Sequence, residues 1–397
     1  MIPPMTRLLI VTTSYKTLHF MVPFASYFRA KGWCVDAIAK DAPGSEYADP
    51  FDHVWNITWS RNPLSFPQLF AAAEELRNVV TREHYELVHV HTPVASFVAR
   101  FALRNLRQRD ALKVIYTAHG FHFHRGQNKS KNAIFIALEK LAGHWTDYLI
   151  VINHEDEAAA QKYHLVPGAR IRYMPGIGID TSYYDPVCVS DADIARVREE
   201  LHLSPEIRLF LMTANFDPGK RHSQALKALS RIERNDVHLA FAGTGRLTEA
   251  VKSLAINLGV DSRVHFLGWR NDIPALVRAS IATILPSERE GLPRSVMESL
   301  SLEVPVIGAD VRGIRDLLDG GTGILFEVGD VDGLAHAMTW ILDHPNQARE
   351  MGVQGRVKMA RHDICSILML HEALYHEALG QVERESIPYV DLEAYGH

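Results

Sequence analysis

The chain is poor in cysteine: Cys34, Cys188 and Cys365 are the only ones in 397 residues. Three scattered thiols cannot build the disulfide framework of a small secreted domain, so a reducing, cytoplasmic setting is expected. Long apolar runs are also missing. No stretch approaches the roughly 18 apolar residues of a membrane-spanning helix. The run Leu8-Leu9-Ile10-Val11 is too short for a signal-peptide core and gives way to Thr12-Thr13-Ser14. Neither sign of charge dominates, with 42 Lys/Arg against 47 Asp/Glu, and no nucleic-acid partner is expected. Short-period repeats, low-complexity tracts and the metalloprotease pattern H-E-x-x-H are absent. What remains is ordinary globular composition, 47% apolar and 22% charged, which excludes a disordered chain. At about 150 residues per domain the length predicts two to three domains. The one unusual abundance is histidine, at 21.

The near-neutral balance hides an asymmetry. Residues 1–178 carry 20 Lys/Arg against 15 Asp/Glu, and residues 179–397 carry 22 against 32. Basic residues concentrate in 99–140, where nine of them face Asp110 and Glu139. Such a stretch fits a solvated helix face or a surface that meets anionic lipid or a phosphorylated substrate. Along the chain, short β-rich runs without in/out alternation alternate with helical patterns, as in parallel sheets covered on both faces. Strands are predicted at 8–13, 35–39, 54–57, 87–91, 113–118, 148–152 and 171–174, with helices at 21–31, 68–83, 94–107, 132–143 and 155–161. The loop from Pro175 to Asp193 reads as a boundary. The pattern then restarts, with strands at 209–213, 238–242, 264–267, 282–285, 304–307 and 324–326 and helices between them and beyond. The fold class is therefore α/β, two Rossmann-like doubly wound domains of similar size. Two facing domains make a central cleft the default site, and open α/β sheets bind ligands outside the carboxyl ends of their strands.

Three loops after second-half strands stand out. Gly243 lies in Ala242-Gly243-Thr244-Gly245, where glycine lets backbone approach a phosphate; a tight turn would look the same. Asn215, Lys220 and Arg221 follow another strand and precede a helix, so the two cations could neutralise phosphate. The third loop runs Pro286-Ser287-Glu288-Arg289-Glu290-Gly291-Leu292-Pro293 into a helix carrying Glu298. Pro293 suits a first helical position. The amides of Gly291 and Leu292 could face a diphosphate. A carboxylate at Glu298 accepts more than one hydrogen bond and could hold a pair of sugar hydroxyls. In the first half, His89, His91 and His119 end adjacent strands, with His122 and His124 just beyond. Imidazole is the commonest metal ligand, so a metal-dependent hydrolase using His89, His91 and His119 is one alternative. Against it, no nearby carboxylates offer themselves as bridging ligands.

Together these segments resemble glycosyltransferase family 4, retaining enzymes of the GT-B fold. The carrier is the E-x7-E of Glu290 and Glu298 within Pro286-Ser287 … Glu290-Gly291-Leu292-Pro293 … Met297-Glu298. Ala242-Gly243-Thr244-Gly245, Val264-His265-Phe266-Leu267-Gly268, Val304-Pro305-Val306-Ile307 and Gly323-Ile324-Leu325-Phe326 follow the family's order. In the first half, His91-Thr92-Pro93, Tyr116-Thr117-Ala118-His119-Gly120-Phe121-His122-Phe123, Glu139-Lys140 and Thr146-Asp147 resemble the branch that builds capsular and exopolysaccharides.

The resemblance implies a transferase that moves a sugar from a nucleotide-sugar, a UDP-sugar above all, to an acceptor hydroxyl. It implies retention of configuration, and no metal or other cofactor. Glu290 would position the donor sugar, Glu298 would hold the ribose, and Lys220 would bind the diphosphate. His119 would contact sugar or acceptor, with Lys16 and His91 also on the acceptor side. Two positions depart from the family: Asn215 stands where an Arg is usual, with Arg221 as a substitute, and Thr12-Thr13-Ser14-Tyr15-Lys16-Thr17 replaces a Gly-rich loop. Residues 1–178 would form the acceptor-side domain and 179–363 the donor domain, with the segment 364–397 returning to the first. A lipid-linked saccharide at the cytoplasmic membrane face is the implied acceptor, and the 94–107 helix with Arg100, Arg104 and Arg107 is a candidate anionic-lipid patch. A nucleotide-sugar epimerase of the same fold and a non-catalytic sugar-binding module remain as alternatives.

Overall fold

A computed structural model describes residues 5–59, 65–109, 112–124 and 126–381. The tail 382–397, expected to pack across the first domain, lies outside the described residues. The chain forms two compact units. One takes the chain up to Ile152, Asp156–Met174 and what is described from Ser366 onward; the other takes Asn153–Glu155 and Pro175–Cys365.

The first unit is built on seven parallel strands: β1 (Arg7–Ser14), β2 (Cys34–Lys40), β3 (Val54–Asn56), β4 (Leu87–His91), β5 (Lys113–Ala118), β6 (Tyr148–Val151) and β7 (Ile171–Tyr173). Their order is β3-β2-β1-β4-β5-β6-β7. Winding reverses between β1 and β4, so the carboxyl ends at Ser14, His91 and Ala118 sit side by side. Every residue of β4, its two histidines included, is buried, because helices cover both faces of a parallel sheet. The helix Ile364–Ala378 belongs to this unit from Ser366 on. Tyr375 stacks 5.0 Å from Phe28, and Tyr27 donates to Glu372 at 2.7 Å.

The second unit has six parallel strands: β8 (Arg208–Thr213), β9 (Val237–Ala242), β10 (Val264–Gly268), β11 (Ala282–Leu285), β12 (Val306–Ala309) and β13 (Gly323–Phe326). The order is β10-β9-β8-β11-β12-β13, with the reversal between β8 and β11. Strand alternation divides the core in two. Phe210 and Met212 face one apolar cluster with Phe241 and Leu334, while Leu209 and Leu211 face the other with Val296 and Leu300. Each such fully buried side chain contributes about 1.5–3 kcal/mol against leaving it in water.

The α/β class, with two Rossmann-like parallel sheets, agrees with the sequence pattern, and the differences are local. β12 starts at Val306 rather than 304 because Pro305 has no N–H to give to a ladder; its carbonyl still accepts from Thr283 N at 3.0 Å. The helix Lys129–Gly143 starts three residues before the predicted 132, since the Asn128 side chain caps it by accepting from Ser130 N and Lys131 N.

Candidate active site

In the second unit the loops after β8, β9 and β11 are stitched by backbone bonds. Ala214 N donates to Ala242 O at 3.0 Å, Phe216 N to Thr244 O at 3.0 Å, and Glu288 N to Gly219 O at 2.9 Å. Gly243 is obligatory at this junction. Its φ is +152°, and a Cβ there would lie 2.1 Å from Ala214 O. On this scaffold Lys220 Nζ donates to Glu290 Oε1 at 2.5 Å, joining residues 70 apart. Arg221, held at φ +56°, pairs with Glu288 at 3.0 Å. Two hydroxyls at neighbouring strand ends, Thr213 Oγ1 in the last residue of β8 and Ser287 Oγ just after β11, are buried without a hydrogen-bond partner. Buried polar atoms normally have one.

Glu290 and Glu298 are set differently. The carbonyl of Glu290 accepts from Arg312 Nε at 3.2 Å, and Gly291 O accepts from Asn153 Nδ2 at 3.3 Å. Gly313 packs so tightly that a Cβ would stand 1.8 Å from Gly291 O. Gly291 and Leu292 lie half-buried just ahead of the helix Arg294–Ser301, with Pro293 as its extended N-cap residue rather than its first helical residue. Glu298 sits in that helix, largely buried. Tyr184 OH donates to its Oε1 at 2.9 Å, and Arg294 Nε approaches the same oxygen at 3.4 Å. Burial pushes the Glu298 carboxyl above its ordinary range, opposed by Arg294 and the Tyr184 bond. Asn215 is exposed, and its carbonyl caps Asp217 N at 2.7 Å.

In the first unit, His91 Nδ1 lies 3.0 Å from His119 Nε2, with the rings stacked at 5.3 Å. Burial pushes His119 down to about 4 and His91 well below its usual value. Both are neutral at pH 7, so His119 acts there as a hydrogen-bonding group and not as a cation. Lys16 is exposed in the one-turn helix Tyr15–Leu18, after the end of β1.

The structure bears on two readings that the sequence left open. His89 does not complete a metal site with His91 and His119: its Nδ1 is 2.5 Å from Tyr375 OH and its Nε2 2.7 Å from Thr117 Oγ1. Among the described residues, potential ligand atoms converge only at Cys34, Asp36 and Asp52. There Asp36 already accepts from Tyr85, His53 N and Arg7. The helix expected at 94–107, observed as Pro93–Arg109, is not a free basic stripe. Arg100 is buried over the Tyr116 ring and bonded to Glu139 at 2.9 Å, and Arg107 grips Asp147 through both carboxylate oxygens.

Sequence reasoning passed over Tyr184 and Arg312 and took Asn153 only as part of the resemblance, not as a site residue; all three reach the site from outside the segment Pro286–Glu298. Arg294 did leave a trace, at i,i+4 spacing from Glu298.

A family model described as "Glycosyltransferase Family 4" matches residues 20–183, and one described as "Glycosyl transferases group 1" matches residues 193–358. The chain is 32% identical to "Putative glycosyltransferase EpsD" of Bacillus subtilis (strain 168), over 87% of this chain and 89% of that one. It is 26% identical to the UDP-Gal:alpha-D-GlcNAc-diphosphoundecaprenol alpha-1,3-galactosyltransferase of Escherichia coli, over 78% of this chain and 80% of that one. Among solved structures, Anabaena HepE in complex with UDP superposes with a TM-score of 0.78 at 18% identity, covering 94% of this chain and all of HepE. Sucrose-phosphate synthase from Thermosynechococcus elongatus does so with 0.79 at 19%, covering 95% of this chain and all of the synthase. These structural likenesses establish the fold.

Proposed function

The chain belongs to glycosyltransferase family 4 and is a glycosyltransferase, and from that premise we propose that it moves a sugar from a UDP-sugar to a hydroxyl of a lipid-linked glycan in polysaccharide assembly, with retention and without a metal. The observation that carries this reading is Lys220 Nζ held 2.5 Å from Glu290 Oε1 at the switch point of the second sheet. There a cation is held against a carboxylate at the carboxyl ends of the strands, where open α/β sheets take their ligands. The relatives' names support the donor class: the Escherichia coli protein is named for UDP-Gal and a diphosphoundecaprenol acceptor, and HepE was solved with UDP.

The proposed chemistry follows from these side chains. The donor's C1–O bond to the diphosphate breaks, leaving positive charge on the sugar ring and negative charge on the diphosphate oxygen. Lys220, released from Glu290, stabilises that oxygen together with the amides of Gly291 and Leu292. Glu290 then turns to the sugar, and Arg221, Asn215 and Gly243 line the donor's approach. Glu298 accepts from the ribose hydroxyls. The acceptor oxygen attacks C1 on the face the diphosphate leaves, and its proton passes to the departing diphosphate oxygen. On the first unit, His119, neutral and 3.0 Å from His91, offers a hydrogen bond to a sugar or acceptor hydroxyl, and Lys16 is the acceptor-side cation.

A lipid-linked acceptor calls for a cytoplasmic membrane face. Among the described residues no helix is long and apolar enough to cross a membrane. The surface that supports peripheral contact is the helix Lys129–Gly143. Ile134, Leu138 and Leu141 are 60%, 40% and 49% exposed along one stripe. At about 100° per residue, Lys131 borders that stripe, whereas Lys129 and Lys140 lie toward the opposite face. Phe66 and Phe70, on the helix Phe66–Glu83, are also exposed, Phe70 meeting Phe101 at 6.4 Å.

Two experiments test the reading. A panel of nucleotide-sugars screened for thermal stabilisation should single out a UDP-sugar, and stabilisation by GDP-sugars alone would refute the donor class. The chain should co-sediment with anionic vesicles at low salt and lose that on Leu138→Glu; failure of the unmodified chain to bind would remove the membrane surface.

A further inference from the structure

Glu298 is met at one carboxylate oxygen by two neighbouring side chains. Tyr184 OH and Arg294 Nε both meet Oε1, at 2.9 and 3.4 Å. An ionised carboxylate has acceptor capacity on both oxygens. The Tyr184 bond and the Arg294 ion pair at Oε1 restrict how the group can turn, and Oε2 keeps acceptor capacity of its own.

Tyr184 comes from the chain segment between β7 and the helix Asp191–Glu200, 114 residues from its partner. That segment is held firmly. Asp180 Oδ1 accepts from Ser182 N at 3.0 Å and Tyr183 N at 2.9 Å, and Tyr184 N donates to Asp180 O at 3.0 Å. The Tyr184 ring is buried in an apolar cluster with Ile179, Val197 and Leu201. Arg356 then ties the segment to the far end of the helix that carries Glu298. Its Nη1 donates to Ser301 O at 2.6 Å and to Tyr184 O at 3.4 Å, and its Nη2 pairs with Asp185. The turn and the helix are thus joined at two points, once by Tyr184 to Glu298 and once by Arg356 to Ser301.

We infer that Tyr184 is a positioning residue that clamps Glu298 so that its Oε2 receives the ribose diol of the nucleotide, making donor affinity depend on Tyr184 only when that diol is present. The inference rests on the reading of Glu298 as the ribose-binding carboxylate. It goes further by assigning the orientation of that carboxylate to a residue outside the E-x7-E segment. Without the phenol, the buried carboxylate keeps Arg294 but loses its second anchor and a compensating donor. Charge-assisted bonds of this type are about twice as strong as neutral ones.

The test is a binding cycle on the full chain, measured by calorimetry with UDP and 2′,3′-dideoxy-UDP. Glu298→Gln should abolish most of the preference for UDP over the dideoxy compound. Tyr184→Phe, which keeps the ring in its cluster, should weaken UDP binding by roughly tenfold, the size of one lost hydrogen bond to a charged group. It should leave dideoxy-UDP binding unchanged, and in turnover raise KM for the donor more than it lowers kcat. If Glu298→Gln retains the UDP preference, or the unmodified chain binds no UDP, the ribose reading fails. If Glu298→Gln loses the preference while Tyr184→Phe retains it, the ribose reading stands and the Tyr184 inference is overturned. Equal weakening of both ligands by Tyr184→Phe marks a merely structural residue and overturns it as well.

Discussion

Replacing Lys220 by alanine separates chemistry from architecture. In the structure the lysine makes one ion pair, with Glu290 at 2.5 Å, and its side chain is 31% exposed. A pair this open to solvent is screened and contributes at most ~1 kcal/mol to folding. For domains of this size that corresponds to a Tm change of roughly 2–4 °C or less. Glu290, 11% exposed, loses its cation, but the loop keeps its backbone anchors, Glu288 N to Gly219 O and Glu290 O to Arg312. Catalysis should respond on another scale. Removing one preorganised group from a developing oxyanion costs about 10²–10³ in rate, and a full charge facing a diphosphate belongs at the upper end or beyond. The assay is release of UDP coupled to acceptor glycosylation, run beside thermal unfolding. Lys220→Ala should fall by at least about 100-fold in kcat with Tm nearly unmoved. Near-normal turnover would refute the role of Lys220, and a collapse of Tm matching the loss of activity would refute the separation.

Glu290→Ala should likewise lower transfer by orders of magnitude with the fold intact by circular dichroism; turnover within a few-fold of the parent would remove Glu290 from the chemistry. EDTA should leave turnover unchanged, and metal-dependent activity would contradict the lysine-and-amide account. Gly243→Ala should destabilise the second unit, since its Cβ would meet Ala214 O at 2.1 Å at a φ of +152°, and an unchanged Tm would show that the β8 and β9 loops part easily. Burial lowers His119, His222, His265, His362 and His371 to about 4, and His89 and His91 well below 6.5. Between about pH 4 and 6.5 the unfolded chain therefore binds more protons, and stability falls as pH drops through that window. Tm should decline from pH 7 to 5, and a flat profile would mean that these imidazoles are solvated.

The fold was legible because burial on both sheet faces writes itself into short runs such as Leu209–Thr213 and Leu87–His91, and turn residues punctuate them. The paired glutamates were legible because they lie eight positions apart on one strand–loop–helix unit. Lys220 was equally local, just after β8. What stayed hidden depends on partners far along the chain. Arg100 looks like a surface cation on its own helix. Only Glu139, brought in by the helix Lys129–Gly143, and the Tyr116 ring turn it inward. The exposed apolar side chains Ile134, Leu138 and Leu141 lie on the helix Lys129–Gly143 instead. The histidines stayed open for a related reason: spacing shows that His89 and His91 end a strand, but not that Tyr375, 286 residues on, occupies His89. Tyr184 and Arg356 are silent in the sequence because their roles exist only once the turn after β7 meets the helix Arg294–Ser301.

The central claim is retaining transfer from a UDP-sugar, and a product analysis tests it most directly. The chain is incubated with an α-linked UDP-sugar identified by thermal stabilisation and with extracted lipid-linked acceptors, in EDTA. Mass spectrometry should find one sugar added to the acceptor for each UDP released, and proton NMR should find the new linkage in the α configuration. A β linkage would contradict retention. Release of UDP with a free epimerised or hydrolysed sugar and no gain in acceptor mass would contradict transfer itself.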